Sequence, residues 1–294
     1  CIVPGEAQLG SLAGRYFCDT DGDDLDNNNG DEPGLNGLTV TLLNAVGGVV
    51  ATTTTQNIGG VDGSYLFENL EAGDYRVVFQ ADPDGKAFVA QTAGDNDSIG
   101  GSDVDPANGE TGVISLAAGE NKIDVDAGVV ELGSISGRYF CDTDRDDLDN
   151  NNGDEPGLNG IRVTLFDVDG GIVGTQFTST IDGVDGAYFF GDLFAGDYRV
   201  EFAADPDGKV FVAKNTDIDN DAIGGSDADP TDGQTDVINL SVGENVTNVD
   251  AGVVEPTVAP TAEEAADGLC AVRHRVRPLT FELSALADHG SACT

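Results

Sequence analysis

The run Cys18–Gly37 reads CDTDGDDLDNNNGDEPGLNG. Cys141–Gly160 reads CDTDRDDLDNNNGDEPGLNG, so the same stretch recurs with one change, Gly22 against Arg145. From Asp19 to Glu32 there are seven acids and no base: Asp19, Asp21, Asp23, Asp24, Asp26, Asp31 and Glu32. Two like charges ~4 Å apart repel by about 1 kcal/mol even at the dielectric of water. A folded loop this acidic calls for a hard cation.

The spacing selects the cation. Asp19, Asp21 and Asp23 form D-x-D-x-D, and Leu25 falls where a backbone carbonyl would serve. Asp142, Asp144, Asp146 and Leu148 repeat the pattern. Oxygens at alternate positions make the first half of a calcium loop of the EF-hand kind. The closing acid expected at the twelfth position falls on Gly30, which cannot serve. Asp31 and Glu32 follow it, as Asp154 and Glu155 do in the second copy. Calcium takes roughly 6–8 oxygens in flexible geometry and tolerates such a stretched loop, whereas magnesium wants a near-ideal octahedron. No amphipathic helix flanks either loop.

Working outward, the loops belong to a long internal repeat. Gly10–Glu131 matches Gly133–Glu255 at an offset of 123 (133 − 10), which becomes 124 after one inserted residue near Asp217. The chain divides into a lead-in (1–9), a first domain (10–131), a second (132–255) and a linker with an unassigned tail (256–294). The tail opens on the Pro/Thr-rich PTVAPT and matches neither repeat; too little apolar surface for a core predicts that it is poorly ordered.

Each copy reads as β-structure. In the first, Ser11–Phe17, Leu38–Leu43, Val49–Thr55, Tyr65–Phe67, Tyr75–Phe79, Ala87–Ala90, Val113–Leu116 and Ile123–Val130 are short apolar or β-branched runs. Turn signals such as Asp62-Gly63 separate them. Short strands at this spacing predict a β-sandwich, and no segment of either copy reads as a helix.

A second acidic cluster, Asp95, Asp97, Asp103 and Asp105, is copied as Asp219, Asp221, Asp227 and Asp229. Its double glycine lets the two acidic ends fold toward one ion, with Asp126 and Asp250 from V-D-A-G as further ligands. Asp62, Asp185 and the D-P-D-G acids (Asp82, Asp84, Asp205, Asp207) are explained by turn chemistry alone.

Composition excludes several functions. Lys and Arg total 13 against 54 acids, a net charge of −41, and phosphate binding needs a basic surface, so nucleic acid is not a partner. No apolar run reaches the ~18 residues of a membrane span. Neither repeat contains histidine, so no Ser/His/Asp or Cys/His arrangement forms there. Cys18 and Cys141 occupy equivalent sites in successive domains and are not expected to bridge, since a disulfide needs Cα atoms within ~7 Å.

The order of motifs resembles a known family. A G-x-x-x-G-R-Y-F strand precedes D-x-D-x-D and E-P-G-L-x-G, then V-T-L-L and the run Val61–Val77 (VDGSYLFENLEAGDYRV), repeated at Val184–Val200, and finally V-D-A-G-V-V. This is similar to the SdrD B-like domains of bacterial surface adhesins, relatives of Cna B-type modules. The resemblance implies an all-β chain of two tandem Greek-key, transthyretin-like β-sandwich domains followed by an irregular tail. It implies calcium as the bound ion, held by Asp19, Asp21, Asp23 and Glu32 and by Asp142, Asp144, Asp146 and Glu155; the loop is two residues longer than the family's before Glu32, so Asp26 or Asp31, and Asp149 or Asp154 in the second copy, stand as substitute ligands. It also implies a non-catalytic stalk in a secreted or cell-surface protein. Arg15 and Arg138 stand on the first strand in place of lysine, so the Lys–Asn crosslink of some relatives is not expected. A module that adheres to an extracellular protein or polysaccharide, and an accessory part of an extracellular hydrolase, are the alternatives. Near-identity of the acidic loops favours the stalk.

Overall fold

The computed structural model describes residues 8–26, 32–92, 100–145, 147–149, 155–214 and 224–256. Among these the regular structure is all strand. The Cα packing separates two compact units, the first formed mainly by residues up to Ser134 and the second by most of those that follow.

In the first copy two sheets face one core. One runs in the order Gln56–Ile58, Val61–Leu70, Gly10–Asp19, Ala127–Val130, Ala87–Phe88. The other runs Val104–Asp105, Glu110–Thr111, Gly73–Phe79, Thr39–Asn44, Val49–Thr54. The second copy repeats the plan, with Val184–Leu193, Gly133–Cys141 and Ala251–Val254 central in one sheet and Arg162–Asp167 beside Gly196–Phe202 in the other. The first strand of each copy lies parallel to the last, Tyr16 opposite Ala127 and Tyr139 opposite Ala251. Parallel neighbours require a crossover connection; here the whole domain supplies it. The two ends of each copy therefore meet at the centre of a sheet.

Alternation places the core. Along Val61–Leu70 the residues Tyr65 and Phe67 are buried, and along Gly73–Phe79 it is Tyr75, Val77 and Phe79, as a period of two demands; Leu70 is buried one position out of step, after Asn69 at φ 61°. The ring of Phe79 meets Tyr16 and Tyr65 edge-on at 5.8 and 5.5 Å, and Phe202 meets Tyr188 in the same way at 5.6 Å. Each such pair is worth about 0.5–1.5 kcal/mol beyond the area it buries. The buried hydroxyl of Tyr65 donates to the Val125 carbonyl at 2.7 Å, and that of Tyr188 to Val249 at 2.7 Å.

Two readings of the sequence need correction. Ile123–Val130 is not one strand: Asn121–Lys122 and Ala127–Val130 are separate, because Asp124 turns the chain with φ 59° and the next acid, Asp126, is buried. Nor does Asp62-Gly63 form the hairpin turn, which falls at Gly59-Gly60 (φ 64° and 96°). Gly63 lies inside Val61–Leu70, where a Cβ would sit 2.3 Å from the Tyr16 carbonyl and 2.8 Å from Gly34 Cα. That close approach is what the glycine permits.

The cysteine expectation holds: Cys18 is buried and free, so no 18–141 bridge exists. Burial raises its thiol pKa, the largest of several causes. No helix among the described residues is long and apolar enough to cross a membrane. The tail beyond Pro256 lies outside the described residues.

Candidate metal centre

The first acidic loop leaves the end of Gly10–Asp19. Asp19, the last residue of that strand, is fully buried. Its Oδ1 accepts the Gly22 N–H at 2.7 Å and its Oδ2 the Asp24 N–H at 3.0 Å. Asp21 accepts the Asp23 N–H at 3.2 Å, and Asp23 accepts the Leu25 N–H at 2.9 Å. Each carboxylate thus folds the backbone over itself, as Asx turns do. The chain returns so that one carboxylate oxygen from each of Asp19, Asp21, Asp23 and Glu32 lies within 4.8 Å of all the others. Glu32, the acid displaced past the expected closing position, is itself buried. In the second copy Asp142, Asp144 and Glu155 converge in the same way, and Asp142 accepts the N–H groups of Arg145 at 2.6 Å and Asp147 at 3.2 Å.

Asp26 and Asp149, read above as substitute ligands, have another partner. Asp26 pairs with Arg15 Nη1, and Asp149 with Arg138 Nη1 at 2.5 Å. The same guanidinium holds the loop from behind: Arg15 Nη2 donates to the Glu32 carbonyl at 2.7 Å and Nε to the Asp62 carbonyl at 3.0 Å. Arg138 does so with the carbonyls of Glu155 and Asp185, both at 2.9 Å. These arginines fix where the closing glutamate sits, a role that the sequence reading missed. The signal was available: a lone base on a strand that enters a highly acidic loop, present in both copies.

Leu25–Asp26 pairs with Gly100–Gly101, and Leu148–Asp149 with Gly224–Gly225. The double glycine therefore serves the first loop as a pairing partner. A Cβ on Gly100 would lie 2.1 Å from an Asp126 carboxylate oxygen.

The second cluster is divided between two places. Asp103 accepts the Asp126 N–H at 2.8 Å, and Asp126 accepts the Arg15 N–H at 2.6 Å. Asp227, Asp250 and Arg138 repeat this at 2.8 and 2.6 Å. Burial, the first cause, pushes Asp126 and Asp250 well above the usual carboxylate range, against the pull of those arginine N–H groups. Asp105 accepts the Ala107 N–H at 2.9 Å, and Asp229 the Thr231 N–H at 2.8 Å, as turn caps. Hydrogen bonds from Thr231 hold Asp229 below the usual range. Among the described residues, only the first-loop acids bring three or more ligand atoms together. Asp31, Asp95, Asp97, Asp146, Asp154, Asp219 and Asp221 lie outside the described residues.

Asp82 and Asp205 behave as turn acids, whereas Asp62 and Asp185 lie in the strands Val61–Leu70 and Val184–Leu193. Asp62 accepts from the amides of Asn36 and Asn57 at 2.9 and 2.8 Å and is held below its ordinary pKa by them. Asp82 and Asp205 accept the N–H groups of Asp84 and Asp207, both at 2.8 Å.

The SdrD B-like domain model matches residues 10–129 and again 133–253. The chain belongs to the SdrD B-like domain family. Serine-aspartate repeat-containing protein D of Staphylococcus aureus strain Newman is 33% identical over 197 residues, 66% of this chain and 14% of that protein. Serine-aspartate repeat-containing protein F of Staphylococcus epidermidis is 34% identical over 185 residues, 63% of this chain and 10% of that protein. This chain thus spans a small part of the relatives it matches. Among solved structures, the Streptococcus agalactiae minor pilin GBS52 aligns over 85% of this chain and 99% of its own, at 13% identity and a TM-score of 0.30. The Bacillus anthracis TIE protein aligns over 84% of this chain and 34% of its own, at 16% identity and a TM-score of 0.31.

Proposed function

We propose that the two SdrD B-like domains are non-catalytic stalk modules of a secreted or cell-surface protein, stiffened by calcium in the acidic loops. The observation that carries this reading is the convergence of Asp19, Asp21, Asp23 and Glu32, matched by Asp142, Asp144 and Glu155. The donors are all hard oxygens, as calcium prefers. Two of the four converging acids, Asp19 and Glu32, are buried, and burying carboxylates at close range is costly without a compensating cation.

The ion would do structural chemistry. Asp19 ends the first strand, which is paired with the last strand of its own domain, so a filled loop would fix the strand end and the return segment at Glu32 together. Membership in the family and the absence of histidine from both repeats support a non-catalytic role. An extracellular setting supplies millimolar calcium, suited to exposed acidic sites.

The test is calorimetric titration of the chelated protein with calcium, read alongside thermal unfolding. Saturable binding at both loops with a rise in melting temperature is expected. Unchanged melting and no binding heat would overturn the reading and leave the loops as solvated turns.

A further inference from the structure

The one residue that distinguishes the two acidic loops has a second partner. Besides the backbone bond to Asp142, Arg145 donates Nη2–H to the Glu255 carbonyl at 2.8 Å. Glu255 follows directly on Ala251–Val254, the last strand of its domain. Its carboxylate lies 3.9 Å from Lys209 Nζ, a buried ammonium also 3.6 Å from Asp205 and 3.8 Å from Asp207. The Asp142 N–H donates to the Val253 carbonyl at 2.8 Å. The exit of the second domain is thus held at its carbonyl by the acidic loop and at its carboxylate by Lys209.

In the first copy Lys86 retains the carboxylate half, 3.8 Å from Glu131 and 3.9 Å from Asp82. Asp19 still pairs with Val130 on the last strand, and what is missing is the guanidinium contact, because Gly22 has no side chain. Backbone conformation sharpens the contrast. Gly22 has φ 79° and Arg145 φ 67°, a region glycine enters freely and a residue with a Cβ only at a cost.

We infer that Arg145 is a positioning residue that couples ion binding in the second acidic loop to backbone order at 253–255, a link the first loop lacks. The inference rests on the calcium reading of the loop. Its physical basis is that Asp142 fixes the Arg145 backbone, so an ion that orders Asp142 also orders the base of the arm reaching Glu255. Such coupling is reciprocal: whatever orders the chain at 255 favours ion binding in loop two.

The experiment is hydrogen exchange on the full chain, wild type against Arg145→Gly and Arg145→Lys, each in calcium and in chelator. Gly22 shows that glycine suits the site, and a melting curve confirms folding of each variant. In the wild type, calcium slows exchange at 142–149 and at the amides of Val253, Val254 and Glu255. In Arg145→Gly the loop remains protected, while calcium protection at the exit falls about three- to tenfold, the scale of one hydrogen bond. Arg145→Lys, with a donor of similar reach, recovers part of it. Equal exit protection in wild type and Arg145→Gly overturns the coupling and leaves the calcium reading standing. If calcium protects neither loop, the calcium reading fails and the coupling with it. The chelator arm then tests the tether alone, and unchanged exit exchange in Arg145→Gly there removes that as well.

Discussion

The two acidic loops differ by one residue in twenty, yet each is tied to a different set of neighbours. Loop one has Gly22 in a left-handed turn; loop two has Arg145 in the same conformation, with its guanidinium on the Glu255 carbonyl. Around that difference the arginine on the first strand, the aspartate it pairs with and the closing glutamate are the same in both copies. The lesson is that the carboxylate cradle and the tether are separate devices. The cradle is built by backbone folded over its own carboxylates and pinned by a strand arginine. The tether depends on one side chain that the cradle does not require.

The most damaging change should be to the shared arginine. Arg15→Met or Arg138→Met strands a buried aspartate and frees the closing glutamate backbone. Breaking a buried pair costs about 3–5 kcal/mol, and since the arginines keep some solvent contact, about 3 kcal/mol is expected. Chemical unfolding of the two variants should show equal losses, each in its own domain. Unequal losses would mean that the copies are not equivalent in the part they share.

Calcium should come next. At a free concentration 100 times the dissociation constant, one site adds ~2.7 kcal/mol. Replacing Asp21 and Asp23 by Asn should lower the melting temperature of the first domain in calcium and change it little in chelator. Asp144→Asn should do the same for the second domain. If both variants melt like the wild type in calcium, the converged carboxylates hold no ion.

The buried pair Asp126 and Asp250 gives a smaller effect of opposite sign. Burial raises both carboxyls, so the fold disfavours their ionised form. The penalty is absent below the ordinary aspartate value near pH 4, grows as pH rises from there toward the raised folded value, and is full above it. Asp126→Asn should therefore stabilise the metal-free protein at neutral pH and change nothing at pH ~3, where the carboxyl is protonated in both states. In calcium, a loss in place of that gain would identify Asp126 as a ligand.

The smallest effect belongs to two exposed strand acids. Hydrogen bonds lower Asp62 and Asp185, so their contribution is present above the ordinary value and lost as pH falls through the folded one. Asn at either position should slightly flatten the acid limb of the stability curve, and equally in both domains.

The sequence alone was sufficient for the repeat, the all-β class and the acids that converge in the first loop. Alternating apolar residues and D-x-D-x-D spacing are local patterns, and local patterns survive being read along a line. Tertiary structure decided the rest. That Asp26 and Asp149 serve an arginine depends on strand pairing that sets Arg15 and Arg138 beside them. That the double glycine pairs with Leu25–Asp26 depends on the fold bringing residues 100 and 101 back across the domain. That Arg145 reaches Glu255 depends on the first and last strands lying parallel as neighbours, a contact 110 residues apart in the chain. Proximity of this kind comes from long-range burial and sheet register, and no spacing along the sequence records it.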